Sequence, residues 1–413
     1  MNILYVNHYA GGPDYGMEYR PYYLSREWVR SGHRVRLLAA SYSHVRSVQP
    51  QPPEATNEDV WIENVEGIEF AWYRTPSYSG NNLHRALNIG VFLARIALHT
   101  SRIVKEFSPD IVIASSTYPM DIWVARRIAR AAGARLVFEV HDLWPLSPVE
   151  LGDMNPGHPF VRLCDVAERT AYTDADIVVS MLPVIAEHAV ERGLTLERLH
   201  IVPNGISPEE WEAPAEPLRE EIRSFVDAQH RDGRLVVCYA GAHGLPNALD
   251  VLIDAADLLR DRALAFILVG DGMEKRRLTE RLTAAGNDRV RMFGPVPKSQ
   301  VPTLLASIDI AYIGLRPSPL FRFGIAPNKL LDYMMAGCTV LQSVEAGNDP
   351  VADAGCGLTV APGSPAAVAD GLIRLSEMPE AVRRDMGKRG REYVLANHTY
   401  PVLARRFLAA CER

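Results

Sequence analysis

The amino-acid sequence predicts an α/β protein built of two doubly wound parallel sheets in tandem. Three observations carry that reading. Short β-branched, apolar runs alternate with helical patterns along the whole chain. Several runs are continuously apolar rather than alternating, as strands covered on both faces of a parallel sheet are. The strand–helix rhythm also runs twice, starting again after residue 206, as two Rossmann-like domains in one chain would.

Candidate strands of the first set cover residues 3–6, 35–39, 111–114, 136–140, 177–179 and 200–202. Those of the second cover 235–239, 265–269, 290–293, 310–313 and 339–341. Helical patterns separate them, over 22–30, 120–132, 250–260, 274–285 and 329–336 among others. Residues 207–217 hold three prolines and no apolar period, which places the domain boundary near residue 206. The first domain is then 1–206 and the second 207–389. An amphipathic helix over about 390–413 is expected to cross back to the first. Folds of this kind bind ligands beyond the carboxyl ends of their strands, so functional motifs should follow strands, at a cleft between the domains.

Composition narrows the function classes. With 47% hydrophobic and 23% charged residues, 413 positions suffice for two or three independent cores. A net charge of -6 argues against general nucleic-acid binding, which favours a basic footprint. Five scattered cysteines without C-x-x-C spacing fit reduced thiols rather than a disulfide framework or a zinc site. The stretch Met1-Asn-Ile-Leu-Tyr-Val-Asn7 lacks the basic and long apolar regions of a signal peptide, and no run of 18 apolar residues occurs. The expectation is a cytoplasmic protein, with a peripheral position on the inner face of the plasma membrane open to it.

Five stretches carry candidate chemistry. Asn7-His8-Tyr-Ala-Gly-Gly-Pro-Asp-Tyr-Gly16 is a long glycine-bearing loop at the first strand–helix junction, with Glu18 just beyond. Phe138-Glu-Val-His-Asp-Leu-Trp-Pro145 sets His141 and Asp142 at a strand's end, where a histidine can hydrogen-bond hydroxyls, move a proton or simply cap the strand. Trp144 offers a platform for a sugar or a lipid, or belongs to the core. Tyr239-Ala-Gly-Ala-His-Gly244 and Val269-Gly-Asp-Gly272 each follow a strand and precede a helix. The amides at Gly241, Gly270 and Gly272 are candidates to cradle a phosphate, with His243 and Asp271 beside them, and a plain tight turn is the other reading.

The fifth stretch, residues 323–338, is the most informative. Pro327-Asn328 opens a helix and Lys329 lies in its first turn, against the helix dipole. That cost makes sense if Lys329 meets an anion. Asp332 follows three residues later on the same face, a carboxylate suited to ribose hydroxyls. The alternative is an exposed Lys–Asp pair on a solvated helix.

Taken together, these stretches resemble the retaining glycosyltransferases of family 4, and the resemblance implies the GT-B fold. It is carried by Gly16–Glu18, Gly32-His33-Arg-Val35, His141-Asp142, Pro203-Asn-Gly-Ile206, Gly241, Gly270-Asp-Gly272, Phe293-Gly-Pro-Val296 and residues 327–337. Tyr15-Gly-Met-Glu-Tyr-Arg-Pro-Tyr-Tyr-Leu24, Ala40-Ser-Tyr-Ser-His44 and Asp142-Leu-Trp-Pro145 resemble the bacterial branch that builds O-antigen and capsule units with N-acetyl-fucosamine or N-acetyl-glucosamine. The resemblance implies an acceptor-side first domain and a second domain holding a nucleotide-sugar, for which a UDP-sugar is expected. It implies that Gly16 approaches the donor diphosphate, that His141 contacts donor sugar or acceptor, that the backbone at Val296 reads the base, and that Asp332 binds the ribose. Gly324 stands where the family's other motif carboxylate is usual. Ala242 and Asn247 replace the usual Arg and Lys. Lys329, Arg316 and Arg322, with Asn328 at the helix start, are the candidates to meet the diphosphate instead.

No D-x-D motif is suitably placed, so the expected reaction needs no metal and no separate cofactor, with charge on the leaving group met by amides, helix N-termini and basic side chains. The acceptor is expected to be a saccharide, carried on a polyprenyl diphosphate. Residues 83–107 pattern as one helix with Arg85, Arg95, Arg102 and Lys105 among apolar positions, suited to an anionic membrane surface or to a core helix with a basic outer stripe. A nucleotide-sugar 2-epimerase and a catalytically silent nucleotide-sugar-binding protein share this architecture. An NAD-dependent oxidoreductase would need a full G-x-G-x-x-G at the first junction, which is missing.

Overall fold

In the computed structural model, which describes residues 1–16, 18–53, 58–80 and 83–412, the chain divides into two units. One comprises Met1–Asn204 together with the segment from Tyr400; the other runs Gly205–Thr399.

The first unit holds eight strands: β1 Asn2–Val6, β2 Arg34–Ala40, β3 Val60–Val65, β4 Ile68–Tyr73, β5 Ile111–Ala114, β6 Arg135–Val140, β7 Ile177–Ser180 and β8 Leu199–Ile201. They form one sheet in the order β3-β4-β2-β1-β5-β6-β7-β8. Every pairing is parallel except β3 with β4. The order reverses at β1, which pairs with β2 on one side and β5 on the other, and the loops after β1 and β5 open at that switch point.

The second unit holds β9 Leu235–Ala240, β10 Leu264–Val269, β11 Val290–Phe293, β12 Ile310–Gly314, β13 Thr339–Ser343 and β14 Gly357–Val360. They run in the order β11-β10-β9-β12-β13-β14, and all pairings are parallel. Here the switch point lies between β9 and β12. The strand Leu264–Val269 is apolar and buried throughout its length, which is why it reads as a continuous run.

Three strands escaped the sequence reading. β3 alternates buried and exposed positions, and its two-residue turn to β4 is Glu66-Gly67, both with positive φ (51° and 83°). That is type I′ geometry without the usual Asn-Gly signature. β14 is a short edge strand that is largely half-buried.

Two expected helices are corrected. The segment 390–413 is not one helix: Glu380–Asn397 belongs to the second unit and Tyr400–Glu412 to the first. The break at His398-Thr399 arises because the Ile206 amide donates to the His398 carbonyl at 2.8 Å and Ile206 bridges Thr399. Residues 83–107 form two helices, Leu83–Leu98 and Thr100–Phe107, bent by 57° at His99. Among the described residues no single helix is long and apolar enough to cross a membrane.

Candidate functional site

In the first unit the end of β6 carries a buried ionic network. Glu139 is fully buried, and its Oε1 accepts from Arg20 Nε at 2.9 Å. Its other oxygen accepts from Tyr5, and from Ser115 Oγ at 2.6 Å. Arg20 also donates to the carbonyls of Val202 (2.9 Å) and Pro203 (2.6 Å). His141 Nε2 lies 3.1 Å from Glu139 and 2.8 Å from Ser115 Oγ, while Nδ1 lies 3.9 Å from Glu18 Oε2. Burial alone would lower the His141 pKa, but the neighbouring Glu139 carboxylate outweighs it and the net shift is upward. Glu139 is held well below the ordinary carboxylate range against its burial, by Arg20 first and His141 next.

Close by, the amides of Ser115 and Ser116 donate to Asp121 Oδ2 at 3.0 and 2.7 Å, and burial pushes that carboxyl up to about 7. Asp142 turns from the imidazole to accept from Leu143 N, Ser147 and Trp144 Nε1 (3.2 Å). Trp144 packs edge-on to Phe160 and is half-buried. The first loop closes on itself: Gly16 N donates to Gly12 O at 2.8 Å, and Gly12 N returns to Gly16 O. Gly16 has φ 91°, and a Cβ there would lie 2.8 Å from Ser47 Oγ. Its amide is therefore engaged within the loop. Met17, inside that motif, lies outside the described residues.

In the second unit the glycines form the close turns that were one of the two readings of these stretches. Gly241 N donates to Val269 O (3.0 Å), Gly270 N to Phe293 O (3.2 Å) and Gly272 N to Asp271 Oδ1 (2.8 Å), so all three amides are engaged locally. What the positions require is the absence of a side chain. A Cβ on Gly270 would lie 1.9 Å from Gly241 O, and one on Gly272 would lie 2.5 Å from His243 O. His243 is wholly buried between these turns, and among the described residues neither of its ring nitrogens has a hydrogen-bond partner. Burial pushes its pKa down to about 4, so the ring is neutral at pH 7. Asp271 is exposed, and Val296 is half-buried against the cluster that holds Val226 and Leu304.

Lys329 is the centre of this half. Its Nζ donates to Tyr239 OH at 2.8 Å and to Asn247 Oδ1, and sits 4.7 Å from the centroid of the Tyr239 ring. No ion pair to Lys329 occurs among the described residues, and burial pulls its pKa down to about 8. Asn247 thus accepts from the lysine at the site where a basic residue was expected. Asp332 has other neighbours, Lys298 and Glu210, and burial pushes it up to about 7. The two residues lie three apart on one helix, as expected, but each has its own neighbours.

Arg316 lies 3.7 Å from Asp250, and Arg322 donates to Pro319 O and covers the Phe323 ring at 4.3 Å. Arg316 is thus tied to the first turn of the helix Leu249–Leu258, and Arg322 within its own loop. Asn328 is exposed at the start of the helix Asn328–Met335. Gly324 has φ 99°, a conformation that disfavours a glutamate, so the missing carboxylate matches a backbone built for glycine. Glu139, Ser115, Arg20, Tyr5 and Tyr239 were not singled out from sequence. The one available signal was an acidic residue inside the apolar strand pattern Leu136-Val-Phe-Glu-Val140. Among the described residues no group of three or more His, Cys, Asp or Glu is placed to hold a metal ion.

Comparison with known proteins agrees with this architecture. Residues 15–205 match the family model of the Glycosyl transferase 4-like domain, and residues 234–378 that of Glycosyl transferases group 1. WcaI of Escherichia coli K12, whose name places it among colanic acid biosynthesis glycosyl transferases, is 25% identical over 327 residues, 78% of either chain. Sucrose-phosphate synthase from Thermosynechococcus elongatus superposes with a TM-score of 0.68 at 16% identity, covering 99% of this chain and 98% of its own. Anabaena Alr3699/HepE, solved with UDP and glucose, gives 0.65 at 15% identity, covering 100% and 99%. The shared architecture is the GT-B fold.

Proposed function

The chain carries a Glycosyl transferase 4-like domain and a Glycosyl transferases group 1 domain, and from that premise we propose a retaining, metal-independent transferase. It moves a sugar, an N-acetylated hexosamine, from a UDP-sugar to a lipid-linked saccharide acceptor in surface polysaccharide synthesis. The observation that carries the reading is Lys329. A lysine half-buried at the carboxyl end of a parallel sheet, held by a phenol and an amide and lacking a carboxylate, is a cation placed for an anionic ligand. The departing diphosphate supplies that anion, and its charge grows in the transition state. Asp332 accepts from the ribose hydroxyls, which draws it to its ionised form. His141 hydrogen-bonds the donor sugar or the acceptor. The acceptor hydroxyl attacks the face from which the diphosphate leaves, and a phosphate oxygen takes its proton. The UDP in HepE and the polysaccharide named for WcaI support the choice of donor and pathway class.

The test is a melting-temperature panel of nucleotide-sugars followed by transfer assays. The true donor raises the melting temperature most, because it binds only the folded form. Transfer to a saccharide acceptor with the anomeric configuration kept is the expected result. Free nucleotide-sugar epimerised without an acceptor would overturn the reading. Activity is expected to survive EDTA, and loss with EDTA restored by magnesium or manganese would show the metal-independent step to be wrong.

The acceptor's lipid calls for a membrane surface, and we place it at the helix Leu83–Leu98. Leu83, Leu87 and Leu98 are exposed by 86%, 55% and 81% on its outer side. The basic residues contribute less than the sequence suggested: Arg85 donates to Tyr9, Arg95 pairs with Asp59 and Arg102 with Glu106. The wild type is expected to float with anionic liposomes, and the triple variant Leu83→Ser, Leu87→Ser, Leu98→Ser to stay at the bottom of the gradient. Equal flotation of the two would remove the helix from this role.

A further inference from the structure

We propose that Glu139 is a positioning residue that fixes a proton on His141 Nε2 and, together with Glu18 facing Nδ1, holds the ring as an imidazolium that donates to the substrate through Nδ1. This inference rests on the glycosyl-transfer reading for its consequence, but its premise is geometric. A ring nitrogen 3.1 Å from a carboxylate oxygen must carry the hydrogen between them, since two bare acceptors repel at that distance. The single proton of Ser115 Oγ goes to the same carboxylate at 2.6 Å, so at 2.8 Å from Nε2 the hydroxyl stands as acceptor.

Glu139 cannot turn away, because Arg20, Tyr5 and Ser115 hold both of its oxygens. On the other side of the ring Nδ1 faces Glu18 Oε2 at 3.9 Å. The imidazole is thus flanked by two carboxylates, with its side chain only 8% exposed. The charged groups around it are Glu139 on its own strand, Glu18 and Arg20 on the approach to and start of the first helix, and Asp121 at the head of another, with the Tyr5 phenol on β1. The first two favour the cation and Arg20 opposes it; Asp121, itself raised to about 7, is stabilised by it. The net result is a raised folded-state pKa, so the charge is complete at low pH and lost as pH rises through that raised value. In its charged form the ring cannot accept the acceptor's proton, which leaves that task to the leaving phosphate.

The experiment is a pH titration of ¹⁵N-histidine-labelled full-length protein by NMR, with His141 assigned from the spectrum of His141→Gln. Both ring nitrogens of His141 are expected to be protonated at pH 7. In Glu139→Gln the midpoint should fall by about one pH unit or more, and the alkaline limb of kcat should move down with it while KM for the donor holds. Tyr5→Phe, which keeps the carboxylate, should move both less. An unprotonated Nδ1 at pH 7 in the wild type overturns the proposal, and so does an unchanged midpoint in Glu139→Gln. If that variant does not fold, the wild-type ring state decides alone. The titration needs no donor, so a protein that transfers no sugar would overturn the function while leaving this result standing. A neutral His141 in a working transferase would do the reverse.

Discussion

Lys329→Met lowers sugar transfer by roughly 10²–10³-fold, the loss typical when one preorganised group facing a developing negative charge is removed. The substitution keeps the length of the side chain and its packing against the Tyr239 ring, so what disappears is the charge and the hydrogen bonds to Tyr239 OH and Asn247. The pH dependence has a definite sign. Burial lowers the lysine from 10.5 to about 8 in the folded protein, so the cation is the disfavoured form and is lost as pH rises through about 8. A diphosphate reverses that preference, so donor binding takes up a proton above pH 8. Calorimetry should show donor affinity falling between pH 7 and pH 9 in the wild type and staying flat in Lys329→Met. Without donor the methionine variant should melt higher at pH 7, since it no longer buries an uncompensated charge. A variant that retains wild-type transfer would remove Lys329 from the site.

Gly270→Ala is expected to destabilise the second unit by roughly 3 kcal/mol or more, combining a backbone conformation that only glycine adopts readily with a direct clash. At φ 152° a methyl would lie 1.9 Å from the Gly241 carbonyl oxygen, and that neighbour is backbone whose own amide is bonded to Val269. In a unit of this size the melting temperature should drop by roughly 6–12 °C. Gly286→Ala is the control. It too has a positive φ, 61°, but nothing lies within 4 Å of its added methyl, so it should cost only about 1 kcal/mol. If the two variants melt together, the close approach of the two turns is not what Gly270 provides.

The glycines show why the sequence was only partly legible. Gly241, Gly270 and Gly272 were found because glycine after an apolar strand is a visible pattern, but which of two uses each glycine has depends on what lies opposite. A loop 29 residues away decides it for Gly270, and no local spacing reports that. The parallel strands were readable because burial on both faces makes them uniformly apolar; β3, wet on one side, was not. Lys329 was legible because it violates the helix dipole preference. Its partners Tyr239 and Asn247, some 80 to 90 positions earlier, were not. Glu139 was visible as an anomaly inside a strand. Its meaning needed Arg20, 119 residues away, which the fold brings to it.

The helix Tyr400–Glu412 bears on how the protein is made. Trp28 Nε1 donates to the Ala404 carbonyl at 3.1 Å, Tyr23 stacks on Tyr400 at 4.6 Å, and Phe407 packs on Trp28. These residues belong to one core with β1 and β2. During synthesis the N-terminal sheet therefore emerges from the ribosome hundreds of residues before the piece that covers it, and waits with Trp28 uncapped while the whole second unit is translated. The region that starts first matures last. A chain truncated after residue 399 should bind chaperones and yield to protease in its first unit, while the second, complete at Thr399, already resists.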